Sequence, residues 1–251
     1  MTEKLNPVDR LPIYVLSVRS FKERQDSILR QAKTFGLNVE FVFDYDADDL
    51  TSEDLGRFGG DLTLNAKSCA LKHFEAEHRL VESGHSNALI LEDDALLFEN
   101  FTIRLERVLD NSQRLQDGWL ISLGGADDKA SIEDSHAPSE SLIEKQVSTT
   151  EAYLIDSVSA RLRLEWLKSN QIVWAADHQI KRIDQEMGIK QFRVATPLCT
   201  QGSVTGCFRS ALDSSRQKHS GHYLMVRYKL RRLLNQHVPR LFFSLKRKLL
   251  R

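Results

Sequence analysis

IYVLSVRSFKERQDSILRQAKTFGLNVEFVF, residues 13–43, decides the fold. Ile13 to Ser17 is a short, mostly apolar run of the kind that forms a buried strand. Ser20 with Glu23 three residues on has the spacing of a capping box, which predicts a helix starting there. Ile28, Leu29, Ala32 and Phe35 give that helix an apolar stripe, and Gly36 stops it. Val39 to Phe43 reads as a second strand. Strand, helix, strand is a βαβ unit, which calls for a parallel pair joined by a right-handed crossover.

The same alternation continues along the chain. Asp44 to Asp54 is acidic and reads as a loop, and Asn65 to Ser83 as a helix closed by Gly84. Strands are expected at Ala88–Leu91, Trp119–Leu123, Glu151–Ile155 and Phe192–Thr196. Helices are expected at Phe101–Leu109 and Ser157–Lys168, and, capped by Asp177, on to Met187. Asp127 to Lys145 is polar and serine-rich, a surface excursion. The fold class is therefore α/β, a mostly parallel sheet with helices on both faces.

The strongest chemical signal is LILEDDALLF, residues 89–98. Three consecutive carboxylates, Glu92, Asp93 and Asp94, follow a buried strand, where they are costly unless compensated. At the carboxyl end of a parallel strand they would project into the crevice where such sheets bind ligands. Clustered carboxylates there suit Mg²⁺ or Mn²⁺, which completes its coordination with water and phosphate oxygens. The plainer reading is an acidic loop capping the next helix. His73, on the apolar face of its helix, reads as a core histidine with one hydrogen bond. Gly124-Gly125 after a strand either admits a ligand to the backbone or is a turn. There is no GxxxxGK[ST], GxGxxG, HExxH or GxSxG motif.

Composition narrows the classes. Of 251 residues, 41% are hydrophobic and 28% charged, which argues against wholesale disorder. No run of 18 apolar residues exists to span a membrane. The opening MTEKLNPVDR has no apolar run that could serve as a secretory leader. Cys69, Cys199 and Cys207 form no CxxC pair, so a reducing cytoplasm fits best. The formal charge of zero is unevenly spread. After Asp213 come eleven Lys and Arg and no acid, which leaves 24 basic against 35 acidic residues before it, a net of −11. The chain divides into an acidic body, residues 1–215, and a basic tail, residues 216–251, where apolar and basic residues interleave around Pro239. Such a tail reads as an amphipathic, membrane-surface element. It could instead pack on the acidic body. Nucleic acid ranks last as a partner, because no recognition motif is present and the body would repel phosphates.

Several stretches together resemble glycosyltransferase family 25, the lipopolysaccharide-type sugar transferases. They are IYVLSVRSFKER with Arg24, LTLNAKSCALKHFEAEHRLVESGHSNALILEDDALL (62–97), WLISLGG (119–125), EAYLIDSVSARLRLEWL (151–167), WAADHQI (174–180) and TPLCTQGSVTGCFRSAL (196–212). The resemblance covers roughly residues 11 to 212. Lys72-His73 stands where many members have Ser-His, and Gly59-Gly60-Asp61 replaces the more usual Gly-Glu turn. The resemblance implies a GT-A-like, Rossmann-type fold and an inverting transfer of a hexose, often galactose, from a UDP-sugar to a glycan such as a lipooligosaccharide or capsule precursor. It implies a donor held by Ser17, Arg19, Arg24, His73, Glu92, Asp93, Gly124 and Gly125, and Mn²⁺ or Mg²⁺ on Asp94 with Glu92 and Asp93 beside it. Inversion needs a base, for which Asp177, Asp127 and Asp128 are candidates. The expected setting is the inner face of the cytoplasmic membrane. The alternatives are a non-catalytic sugar-nucleotide-binding module and a metal-dependent nucleotidyltransferase or phosphohydrolase using the same carboxylates.

Overall fold

A computed structural model describes residues 7–125, 138–146 and 149–208, with Val226 and Leu230 beyond them. The basic tail otherwise lies outside the described residues, as do Asp127 and Asp128. The opening βαβ unit is present as β1 (Ile13–Leu16), α1 (Lys22–Phe35) and β2 (Glu40–Val42). After α2 (Ser52–Gly56) and α3 (Leu64–Ser83) come β3 (Asn87–Glu92), β4 (Ala95–Leu97), α4 (Phe101–Ser112) and β5 (Trp119–Ser122). β6 (Leu142–Glu144), β7 (Ala152–Asp156), α5 (Ser157–Leu167), α6 (Ala176–Met187), β8 (Lys190–Val194), β9 (Cys199–Gln201) and α7 (Gly202–Thr205) complete the order.

Seven strands form one sheet in the order β2-β1-β3-β7-β5-β8-β6, and β4 pairs with β9 in a small separate ribbon. β1 runs parallel to β2 and β3, and β5 parallel to β8. β7 is antiparallel to both β3 and β5, and β6 is antiparallel to β8. The sheet is thus mostly parallel, with β7 and β6 reversed.

Side chains alternate across each strand and so feed two cores. Ile13, Val15, Leu89, Leu91 and Leu154 face one side, where Ile28 of α1 and Phe101, Leu105 and Val108 of α4 cover them. Tyr14, Leu16, Ile90, Tyr153 and Ile155 face the other, under Leu71 and Phe74 of α3, Trp166 of α5 and Ile183 of α6. Each fully buried Leu or Ile contributes about 1.5–3 kcal/mol, and helices on both faces follow from sheet strands apolar on both sides.

Three local expectations need correction. α1 begins at Lys22 without a side-chain cap, because its N-cap position falls on Phe21, which has no acceptor side chain, and not on Ser20. Gln25 ties that end down instead, donating to the carbonyl of Val18 at 2.7 Å. The acidic stretch after β2 is not all loop. It holds a 3-10 turn at Ala47–Asp49 and α2, whose capping box pairs Thr51 with Asp54. Asp177 does not cap α6. The N-cap is Ala175, and Gln179 Oε1 accepts from the Val173 and Trp174 amides at that end.

One charged cluster sits wholly inside. Arg163 of α5 donates to both oxygens of Asp184, at 2.7 and 2.8 Å, and to Glu77 of α3. All three are at most 1% exposed. Burial pushes the Glu77 carboxyl up, with Arg163 opposing. Burial also works against the Arg163 charge, but Asp184 and Glu77 outweigh it and raise the guanidinium. The cluster bolts α3, α5 and α6 together.

Candidate active site

A cleft open to solvent lies beyond the carboxyl ends of β1 and β3. Ser17, Arg24, Glu92, Asp93 and Asp94 line it, together with Lys72 of α3 and Gln201 and Ser203 of β9 and α7. This is where the parallel half of such a sheet leaves a crevice.

The three acidic side chains do not converge. Asp93 turns toward β1 and α1, accepting from Ser17 Oγ and Arg24 Nη1, each at 2.8 Å. Glu92 and Asp94 turn toward β9 and α7, continuing the strand's alternation for two residues past its pairing. Glu92 accepts from Thr150 Oγ1 at 2.8 Å and from Gln201 Nε2 at 3.3 Å. Asp94 Oδ2 accepts from the Ser203 amide at 3.2 Å, and its carbonyl from the Gly202 amide at 2.7 Å. Asp94 Oδ1 is buried without a hydrogen-bond partner. Gly202 is required here, since a Cβ would stand 2.9 Å from the Asp94 carbonyl oxygen and 2.5 Å from the Phe208 ring.

The electrostatics follow from this packing. Burial, then the Glu92 charge, push the Asp94 carboxyl up to about 6. Burial also raises Asp93, although Arg24 and Ser17 hold it back. Burial alone would raise Glu92, but His73, Thr150 and Gln201 reverse the direction and leave it lowered. Two carboxylates side by side with opposite shifts are a mark of functional sites.

The other sequence candidates stand behind or beside the cleft lining. His73 is fully buried, with Nδ1 3.0 Å from Tyr153 Oη and Nε2 3.6 Å from Glu92 Oε1. Arg19 is mostly exposed and pairs with Asp46 and Asp49. Gly124 and Gly125 wrap the buried Glu151. The Gly125 amide donates to its carboxylate at 2.7 Å, and a Cβ on Gly124 would overlap it at 2.0 Å. Burial pushes Glu151 up to about 7. Asp177, in the first turn of α6, accepts from the amide and Nδ1 of His178. It is also in electrostatic reach of the cleft. The Cys69 thiol is pushed well up, first by burial and then by the charges of Glu92, Asp177, Asp93 and Asp94.

Sequence reasoning missed Lys72 as a cleft residue. Its Nζ donates to Asp46 Oδ1 at 2.7 Å and to the Asp44 carbonyl, and burial lowers its pKa despite Asp46. Tyr45, between those two acceptors, has φ +62°, a left-handed conformation that a Tyr adopts at a cost. Gln201 and Ser203 were also passed over, although both fall within the 196–212 stretch quoted above.

An α/β sheet with helices on both faces and a polar cleft off its parallel strand ends is of the Rossmann-like α/β class. Within that class, this chain belongs to glycosyltransferase family 25. The profile of that family, described as glycosyltransferase family 25 (LPS biosynthesis protein), matches residues 10–180. A glycosyltransferase 25 family member from Aedes aegypti is 27% identical over an alignment of 168 residues that covers 61% of this chain. The match takes in only 28% of that relative's length. Among solved structures, the inositol-1-phosphate CTP transferase from T. maritima is similar at 11% identity with a TM-score of 0.36, over 86% of this chain and 77% of that one.

Proposed function

We propose that this chain transfers a hexose, galactose foremost, from a UDP-sugar to a hydroxyl of a cell-surface glycan such as a lipooligosaccharide or capsule precursor, with inversion at the anomeric carbon. Family membership supports the reaction class. The observation that carries the site is Asp94 Oδ1, a buried carboxylate oxygen without a hydrogen-bond partner, in a group raised toward neutrality beside Glu92. An anionic oxygen in that position fits a hard divalent cation, and Asp94 would hold it with Glu92 alongside and Asp93 behind. When bound, Mn²⁺ or Mg²⁺ offsets the charge developing on the diphosphate as it leaves.

The protein's own residues supply the rest. Ser203 and Gly202 fix the Asp94 carboxylate and carbonyl, so its position does not depend on the ligand. Arg24 is held by Asp93 and by the rings of Phe21 and Phe208, which sets its guanidinium at the cleft as a fixed cation for phosphate oxygens. Ser17 and Lys72 shape the remaining wall. Asp177 takes the proton of the acceptor hydroxyl as its oxygen attacks the anomeric carbon opposite the diphosphate. The sugar–phosphate C–O bond breaks, and its electron pair leaves on the phosphate oxygen.

Asp177→Asn isolates the base. The side chain keeps an oxygen for the His178 amide, and a surface charge in a first helical turn is worth about 0.3–1 kcal/mol. The melting temperature and UDP-sugar binding should therefore stay close to the parent, while transfer falls about 10²–10⁴-fold. Transfer at the parental rate would assign the proton to another group, with Asp127 and Asp128 next in line.

The basic tail is the second element of the proposal. Each cation near an anionic leaflet contributes about 1 kcal/mol, so the eleven in the tail are ample for peripheral attachment. Deleting residues 216–251 should move the protein from the pellet to the supernatant in sedimentation with phosphatidylglycerol vesicles, with a cooperative melt retained. A truncated chain that still pellets with the vesicles would place the membrane contact on the body.

A further inference from the structure

Beneath the proposed cation position lies a second, chemically different cluster. Cys69 and His73 are four residues apart on α3 and so share one face of the helix, and that face meets Glu92 at the end of β3. Their ligand atoms, one sulfur, one imidazole nitrogen and one carboxylate oxygen, all lie within 4.8 Å of one another. Among the described residues no other such group of three occurs. His73 Nε2 is fully buried, has no hydrogen-bond partner and faces Glu92 Oε1 at 3.6 Å.

The surroundings are those a metal site needs. With an ion between Nε2 and Glu92 in place of a proton, Tyr153 Oη at 3.0 Å from His73 Nδ1 can accept the Nδ1 proton, which frees Nε2 to act as a ligand. Thr150 and Gln201 hold the two oxygens of Glu92. Partners of this kind orient metal ligands and tune their basicity. Zinc-to-ligand bonds of 2.0–2.3 Å at tetrahedral angles put ligand atoms about 3.3–3.8 Å apart. The His73–Glu92 edge already has that separation, and the Cys69 edges need at most about 1.3 Å of closing. Cys69 is half-buried and lines the cleft, so a fourth position would open toward it.

We infer that Cys69, His73 and Glu92 form a second metal site, selective for a thiophilic ion of the zinc class and separate from the hard-cation position at Asp94. A sulfur, nitrogen and oxygen donor set favours Zn²⁺ over Mg²⁺ or Mn²⁺. Binding displaces the thiol proton to solvent, and the thiolate becomes the ligand. Glu92 is common to both positions. If the transferase reading holds, a zinc-class ion draws Glu92 away from Asp94 and antagonises turnover supported by Mn²⁺.

Cobalt titration of the full-length, chelator-stripped protein tests the site without reference to activity. Co²⁺ should give near-ultraviolet thiolate-to-metal absorption that one equivalent of Zn²⁺ abolishes. That absorption should persist in Cys207→Ser and in Asp94→Ala and vanish in Cys69→Ser. Tyr153→Phe, which keeps every ligand, should weaken Co²⁺ binding about 10–100-fold. Absence of a thiolate band, or a band that survives Cys69→Ser, overturns the assignment. A band kept by Asp94→Ala while turnover with Mn²⁺ is lost separates this site from the transferase reading.

Discussion

Asp94→Ala is expected to lower UDP-sugar turnover supported by Mn²⁺ at least about 10²-fold, the scale on which removing one preorganised electrostatic group acts. The fold should survive. Asp94 contributes one side-chain hydrogen bond, to the Ser203 amide, and its second oxygen is unpaired. It also stands against Glu92, whose charge helps push it up to about 6, so truncation relieves repulsion as it removes a bond. Melting temperatures of the parent and variant without metal should accordingly lie close together. Metal-dependent turnover near the parental rate would remove Asp94 from the site.

Arg163→Met should be strongly destabilising. It strands Glu77 and Asp184, both fully buried, opposite an apolar side chain. Removing one partner of a buried ionic cluster costs about 3–5 kcal/mol, which for a chain of this size lowers the melting temperature by roughly 6–20 °C. Combining it with Glu77→Gln and Asp184→Asn should recover part of the loss, because neither stranded group then carries charge. Calorimetric unfolding of the single and triple variants decides this. A single variant as stable as the parent would mean that the cluster does not hold α3, α5 and α6 together.

Periodicity made much of the architecture legible. The opening βαβ unit, the strand ahead of Glu92 and the helices after Asn65 and Ser157 all stand where apolar spacing and glycine stops put them. Pairing direction was not legible. Ala152–Asp156 carries the same apolar signal as the parallel strands, yet it inserts antiparallel between β3 and β5. The β4–β9 ribbon joins three-residue segments about a hundred residues apart, too short to show a period and fixed only by tertiary contact. That ribbon brings Gln201 and Ser203 to the acidic cluster, a placement with no local signal. The acidic triplet itself was legible, but its divergence was not. Strand alternation turns Asp93 to Arg24 and its neighbours to α7, and only the fold shows which partners wait on each side. Helix α6 also begins earlier than its Asp suggested, so Asp177 lies inside the first turn and its carboxylate accepts from His178 instead.

Calorimetric titration of UDP into the parent and Asp94→Ala, each with and without Mn²⁺, tests the central claim most directly. A cleft that holds a nucleotide diphosphate through a cation on Asp94 should bind UDP in the parent with Mn²⁺. It should bind far more weakly when either the ion or the carboxylate is removed, and removing both should add little further loss. UDP binding of equal strength in all four titrations would contradict the account, because the nucleotide would then owe nothing to Asp94.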